Sequence, residues 1–253
     1  MLTVEDLGVS FGGVAALAGV SFGVRAGTIT SLIGPNGAGK TTAFNAITGY
    51  LRAGRSRVTW DGRPLTGRPC DIARRGVVRT FQKTSVFPTL TVLDNVRTGL
   101  HLRGRAGLWP VLLGTRGVQR EEAKIVETAR EVIAFVGLER RADEVAGELP
   151  YGEQRLVELA VALAARPRLL LLDEPAAGMT GAEKERLVAM IRRIREQSVT
   201  VLVVEHDMRL VMGISDTVIV LNHGRVIAEG APASIQAHPD VIRAYLGSSS
   251  APA

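Results

Sequence analysis

Gly34-Pro35-Asn36-Gly37-Ala38-Gly39-Lys40-Thr41-Thr42 gathers glycines, a lysine and two hydroxyls into one short stretch. Glycine reaches backbone angles closed to other residues, so successive N–H groups in such a loop can converge on one anion. The stretch follows the β-branched run Thr28 to Ile33 and precedes the helix-compatible Ala43 to Thr48. In that order, strand then loop then helix, the helix turns its free donors and positive dipole end to the same point. The ligand these residues fit is the triphosphate of a nucleotide. Lys40 would reach its β- and γ-phosphates, and the Thr41 hydroxyl would be a ligand of Mg²⁺.

A second set of residues suits the hydrolysis of such a ligand. Leu169-Leu170-Leu171-Leu172 reads as a buried strand and ends in Asp173-Glu174. Asp173 would hold Mg²⁺ through water, because that cation keeps several of its waters. Glu174 is placed to polarise the water that attacks the γ-phosphate. A kinase has no use for that second acid, and no Asn-Lys-x-Asp guanine reader is present. His206 ends the next apolar run, Val201 to Val204 followed by Glu205. An imidazole there would bond phosphate and water, although a histidine at a strand end also serves structure alone. Gln82 ends a further strand; its amide could join Mg²⁺ or the water to a moving segment, yet by itself it is uninformative.

These groups need elements to position them. Leu2 to Val9, Val20 to Val24 and Thr28 to Ile33 read as strands separated by Gly12-Gly13 and Ala26-Gly27. Phe11, between the first two, reads on its own as a core or turn aromatic. Arg57 to Trp60 with Asp61-Gly62 suggests a hairpin, Ile72 to Arg75 a helical turn, and Val77 to Phe81 a strand. The pattern then changes. Thr91 is placed to cap a helix to about Leu100, residues 103–117 with Trp109, Pro110 and repeated glycines read as a loop, and Glu121 to Val136 reads as a helix. A mainly helical insert, about residues 84–165, thus interrupts one domain of residues 1–246. It closes with a helix, Gly152 to Ala165, whose apolar stripe is Leu156, Leu159, Ala160 and Leu163. Alternation of strand and helix resumes with Leu169 to Asp173, Ala182 to Glu196, Val199 to Val204 and a helix opening at Met208. Thr217 to Leu221 and Arg225 to Glu229 flank the turn Asn222-His223-Gly224. Ser234 to Leu246 reads as helix and 247–253 as a disordered tail.

At 253 residues, 46% of them hydrophobic, the chain can bury one large α/β core. A single cysteine, Cys70, excludes an internal disulfide and suits a reducing compartment. The N-terminus lacks the basic-then-apolar order of a signal peptide, and no apolar run approaches the ~20 residues of a bilayer span. A soluble, cytoplasmic chain is expected. Of its net charge of +6, the segment from Tyr50 to Lys83 holds nine Lys and Arg against two Asp. Such a segment suits a solvated face, a membrane surface or nucleic acid; the lack of interleaved aromatics disfavours the last.

The order Gly34–Thr42, Gln82, Leu149-Pro150-Tyr151-Gly152-Glu153, Asp173-Glu174, His206 resembles the ATPase subunits of ABC transporters over residues 2–246. Arg74 to Gln82, Leu149-Pro150-Tyr151-Gly152, Glu174 to Met179 and Glu205-His206-Asp207-Met208 are most similar to the branched-chain amino acid importer subgroup. The resemblance implies an α/β fold: a P-loop NTPase core with a RecA-like parallel sheet, an N-terminal antiparallel β subdomain and a helical insert subdomain. It implies ATP and Mg²⁺ as ligands, Phe11 stacked on adenine, and contacts of Gly34 to Thr42 with the nucleotide. It also implies Thr41, Gln82 and Asp173 at the metal, and Glu174, Gln82 and His206 in catalysis, His206 as the switch histidine. Tyr151, Gly152 and Glu153 belong to the signature stretch, whose helix N-terminus would bind the γ-phosphate held by a second ATPase subunit, identical or paralogous. The insert and Gln82 would couple to membrane permease subunits, placing the chain peripherally at the cytoplasmic face of the plasma membrane. No nucleic acid is expected.

The sequence departs from the broad family at three positions. Pro150 stands where serine is usual, so both a hydroxyl and an N–H are lost there; Tyr151 replaces a glycine, and Thr180 takes the usual place of an aspartate. The rival reading is a soluble ABC-type ATPase acting on ribosome or DNA, motivated by the basic segment; neither a second ATPase domain nor a coiled-coil or zinc insert supports it.

Overall fold

The computed structural model describes residues 1–52, 54, 56–80, 86–100 and 116–246. The chain forms two compact units: Met1–Gln82 with Arg168–Ala253, and Lys83–Pro167.

The first unit carries two sheets. The long run after Met1 forms β1 (Leu2–Phe11), which turns at Gly12-Gly13 into β2 (Val14–Val24). With β4 (Arg57–Trp60) and β5 (Arg63–Pro64) they make an antiparallel sheet in the order β2-β1-β4-β5. β2 starts six residues before the sequence pattern marks it. Its first half, Val14 to Gly19, buries only Leu17, so it has no alternation to read, and pairing with β1 from Phe11–Val14 onward holds it instead. Leu2 and Val4 alternate into the core by the pleat, and an irregularity in the pairing between Val4 and Leu7 brings Leu7 onto the core as well.

The second sheet comes from the short apolar runs. β3 (Ile29–Ile33), β6 (Val77–Arg79), β7 (Leu169–Asp173), β8 (Thr200–Val204) and β9 (Thr217–Asn222) are parallel, and β10 (Arg225–Gly230) closes one edge antiparallel to β9. The order is β10-β9-β3-β8-β7-β6. β3, β7 and β8 are buried at every position, as strands covered on both faces must be. Helix α1 (Lys40–Ile47) buries Ala43, Phe44 and Ile47 in a core shared by side chains of both sheets, among them Leu2, Leu7, Leu171 and Leu202. Helix α2 (Pro69–Arg74) precedes β6 and begins three residues earlier than the sequence pattern marks it.

In the Lys83–Pro167 unit, α3 (Val92–Leu100), α4 (Arg116–Phe135) and α5 (Tyr151–Ala164) pack together. Thr91 caps α3 as expected, its Oγ1 accepting the Asp94 N–H at 3.0 Å. α4 starts at Arg116, five residues before the apolar periodicity does; residues 101–115, and with them most of the glycine-rich stretch, lie outside the described residues. α5 differs from expectation in its buried face. Leu159 and Ala160 are buried as expected, but Leu156 and Leu163 are only half-buried, and Val157 and Ala164 are buried besides, together with the charged Arg155 and Glu158. Those two charges pair at 2.8 Å, which removes the cost of burying either alone. α3 approaches α5 closely at Gly99, where a Cβ would meet the Val161 carbonyl and stand 3.1 Å from Ala164 Cβ.

The remaining helices, α6 (Gly181–Glu196), α7 (Met208–Ile214), α8 (Pro232–Gln236) and α9 (Pro239–Leu246), belong to the first unit. The stretch expected as one terminal helix is two, because Pro239 lacks the N–H that would continue α8. The tail 247–253 lies outside the described residues.

Asn95 ties down the approach to α3. Fully buried, its Oδ1 accepts the Phe87 N–H at 2.8 Å and its Nδ2 donates to the carbonyls of Phe87 at 3.0 Å and Thr91 at 2.9 Å. Asn95→Ala would orphan those backbone groups, at about 1–3 kcal/mol. Hydrogen exchange should show the Phe87 amide losing protection and denaturant midpoints should fall; an unchanged Phe87 rate would refute the assigned anchor.

Candidate nucleotide site

Parallel strands leave their carboxyl ends on one edge of the sheet, where the chain is released into loops. The loop after β3 carries Gly34 to Gly39, that after β7 carries Glu174, and that after β8 carries His206. The register sets β3 and β7 on either side of β8, so all three loops share that edge.

The loop after β3 is built as its glycines allow. Gly34, Gly37 and Gly39 all have positive φ, at 152°, 78° and 103°. Gly39 also permits a close approach: a Cβ there would stand 2.6 Å from Leu17 Cδ2 and 2.7 Å from the Ala16 carbonyl. That backing by β2 is continued by Gly224, whose N–H donates to the Ala38 carbonyl at 3.1 Å and whose carbonyl accepts from Ala18 at 2.8 Å. α1 begins after Gly39 with no side-chain cap, so its first-turn amides are left for an anion. Lys40 lies folded against its own loop, Nζ donating to the carbonyls of Gly34 at 2.6 Å and Pro35 at 3.0 Å. Burial lowers its pKa, and the charges of Glu174 and Asp173 oppose that shift. The Thr41 side chain is exposed at the first turn of α1.

Asp173 closes β7 at 3% exposure. Its Oδ2 accepts from an Arg79 guanidinium nitrogen at 2.7 Å, and both side chains are buried. The same guanidinium donates to Asn45 Oδ1 at 2.7 Å and lies 5.4 Å from the centre of the Phe44 ring. Arg79 thus joins β6 to α1 and to the end of β7. Glu174 follows in a left-handed conformation, φ 48°, unusual for a residue with a side chain and found where a site fixes the backbone. Its N–H donates to the Val204 carbonyl at 2.9 Å. Its Oε2 stands 4.0 Å from Nδ1 of His206, a side chain 63% exposed.

Gln82 lies outside the described residues. Phe11 is 53% exposed at the end of β1, on the hairpin whose second strand backs Gly39. In the other unit, α5 starts at Tyr151 with Pro150 as its uncapped N-cap. The Pro150 carbonyl accepts the Glu153 and Gln154 amides at 2.9 and 3.0 Å. Tyr151 is exposed, its hydroxyl accepting from Arg155 Nε at 3.0 Å; Gly152 is buried, and Glu153 faces Arg141 at 3.3 Å.

Sequence reasoning passed over two residues of this edge, Arg79 and Glu205. The signal for Arg79 is a cation inside an apolar parallel strand, which requires a buried partner. The signal for Glu205 is an acid directly after the fully apolar β8.

A glycine-walled phosphate loop, a buried strand-end carboxylate and a second acid beside it define the class of P-loop ATPases. Comparison with known proteins narrows this. Residues 17–177 match the family model described as ABC transporter, and residues 225–251 match that of the branched-chain amino acid ATP-binding cassette transporter. The chain belongs to the ABC transporter ATP-binding family. It is 43% identical to the high-affinity branched-chain amino acid transport ATP-binding protein BraF of Pseudomonas aeruginosa, over 98% of each chain. It is 41% identical to LivG of Escherichia coli, with the same coverage. Among solved structures it is similar to an ATP-binding cassette of an ABC transporter in its ADP conformation, with 33% identity, TM-score 0.86 and 98% of each chain covered. A nucleotide-free cassette gives 32% identity and TM-score 0.85, over 97% of this chain and 98% of the other.

Breaking a buried ion pair from one side costs about 3–5 kcal/mol, whereas replacing both partners by apolar groups costs far less. Arg79→Met should therefore lower the urea midpoint sharply, and Arg79→Met with Asp173→Leu should recover most of it. A double variant no more stable than the single one would show that the pair is not the source of the loss.

Proposed function

We propose that this chain is the ATP-hydrolysing subunit of an importer for branched-chain or related hydrophobic amino acids. The observation that carries this reading is the convergence of the phosphate loop, Asp173, Glu174 and His206 on one sheet edge, in a chain 43% identical to BraF over 98% of its length. The solute class comes from those relatives, since solute selection lies in permease and binding proteins.

In the mechanism proposed, the amides of Gly37 to Thr42 and the first turn of α1 take the phosphates, and Phe11 offers its exposed ring to adenine. Lys40 exchanges the carbonyls of Gly34 and Pro35 for phosphate oxygens, and the arriving anion offsets the burial that depresses its pKa. Thr41, Asp173 and Gln82 would hold Mg²⁺, Thr41 by its exposed hydroxyl and Asp173 through water, its carboxylate fixed by Arg79. Bound there, Mg²⁺ would neutralise charge on the β- and γ-phosphate oxygens. Glu174 orients the attacking water and accepts its proton at the carboxylate, and His206 holds water and γ-phosphate together. Tyr151, Gly152 and Glu153 at the start of α5 would face the nucleotide of a second ATPase subunit, and the Lys83–Pro167 unit would couple to the permease. Closing such a pair converts differential ATP affinity into movement of the membrane helices. The chain then acts peripherally at the cytoplasmic face; among the described residues no helix is long and apolar enough to cross a membrane.

The basic segment is partly paired within the chain. Arg57 pairs with Glu5, Arg68 and Arg74 with Asp71, and Arg79 with Asp173, while Arg75 donates to the Pro64 carbonyl.

Glu174→Gln should lower ATP turnover by about 10² or more, the scale of a positioned general base, and trap an ATP-dependent dimer visible by size-exclusion chromatography. Unchanged turnover would remove Glu174 from the role. In proteoliposomes with its permease subunits, the wild-type chain should drive ATP-dependent uptake of labelled leucine, isoleucine or valine. ATP hydrolysis without uptake of any of them would overturn the solute assignment.

A further inference from the structure

Glu205 is the last residue before His206, and it is 1% exposed. A carboxylate that deep normally needs a cation. Among the described residues it forms no ion pair with a lysine or arginine; the neighbouring Lys184 is committed to Asp207 at 2.7 Å. Its oxygens are instead filled by backbone. Oε1 accepts the Ala176 N–H at 2.8 Å and Oε2 accepts the His206 N–H at 3.1 Å. Burial raises the Glu205 pKa, and these amides and the imidazole of His206 pull it back.

The donors come from two different loops. Ala176 lies two residues past Glu174, in the loop after β7, and His206 lies in the loop after β8. The loops meet twice: at the bond from the Glu174 N–H to the Val204 carbonyl, and at the bond from the Ala176 N–H to Glu205. Between them sits the His206 ring, with Nδ1 4.0 Å from Glu174 Oε2 and 3.9 Å from Glu205 Oε2.

We propose that Glu205 is a positioning residue for ATP hydrolysis: a buried carboxylate clasp that holds the Glu174 loop and His206 in one mutual geometry. This rests on the reading of Glu174 and His206 as hydrolytic residues. Glutamate is the residue that fits. Glutamine keeps the shape but turns an NH₂ towards one of the two amides, donor against donor, and aspartate, one methylene shorter, holds His206 but no longer reaches Ala176. A displacement near 1 Å at a reacting group costs turnover by a factor of about 10².

The test compares full-length Glu205→Gln, Glu205→Asp and Glu174→Gln with wild type. It measures kcat, KM for ATP, fluorescent-nucleotide binding, and hydrogen exchange at Ala176. Both Glu205 variants should lower kcat by about tenfold or more and leave KM and nucleotide affinity within about twofold, and Glu205→Asp should speed exchange at the Ala176 amide. Glu205→Asp keeps the charge, so it decides the matter if the glutamine variant fails to fold. Wild-type kcat in Glu205→Asp, or an Ala176 amide as protected as before, overturns the proposal. If Glu174→Gln itself turns over normally, the hydrolytic reading falls, which is a different outcome from a silent Glu205 beside an inactive Glu174→Gln.

Discussion

A carboxylate at the end of an apolar strand cannot stay charged in a dry interior without a partner, and at Asp173 that partner is Arg79. The constraint reaches far into the first unit. The arginine comes from β6, its other bonds go to Asn45 and Thr48 on and after α1, and its face rests near Phe44 in the core between the sheets. One guanidinium therefore sets the distance between the helix that follows the phosphate loop and the strand that ends in the acid pair. The metal site proposed for Thr41 and Asp173 depends on that distance.

The same economy governs the other two loops of the edge. Glu205 satisfies backbone from both sides, and Asp207 caps α7 through the Arg209 and Leu210 amides while pairing with Lys184 of α6. Burial raises the Glu205 pKa, whereas the hydrogen bond from Lys184 lowers that of Asp207. Adjacent acids around His206 are thus set in opposite environments by their partners. Geometry at this edge is set by paired charges and amides on top of the buried apolar strands that carry them.

Legibility in the sequence followed the kind of signal each element carries. β3, β7 and β8 are continuous apolar runs, and the phosphate loop is a set of backbone demands that glycine alone meets; both are local and readable. The first half of β2 buries Leu17 alone and is held by pairing with β1, a cause that leaves no periodicity. The stripe on α5 was legible at Leu159 and Ala160 but not in full, because Arg155 and Glu158 are buried as a pair, and a scale that scores charges as exposed assigns their face to solvent. Arg79 and Glu205 were visible as residues but not as partners, since their meaning lies in which loops the register brings alongside.

The family departures at Pro150 and Thr180 gain a physical account from the helices they begin. Pro150 sits at the N-cap of α5 with φ −52°, an angle its ring already prefers, so the helix start is preserved while its N–H and a hydroxyl are lost. Thr180 caps α6 through a reciprocal box with Glu183, its Oγ1 accepting the Glu183 N–H and its own N–H donating to Glu183 Oε2 at 2.8 Å. An aspartate there would also cap, but beside Glu183 it would add like charge at the first turn. Both substitutions keep the backbone of their helix starts and change only what those starts display. The fold tolerates them for that reason, and their consequences fall on whatever docks against α5 and α6 from outside.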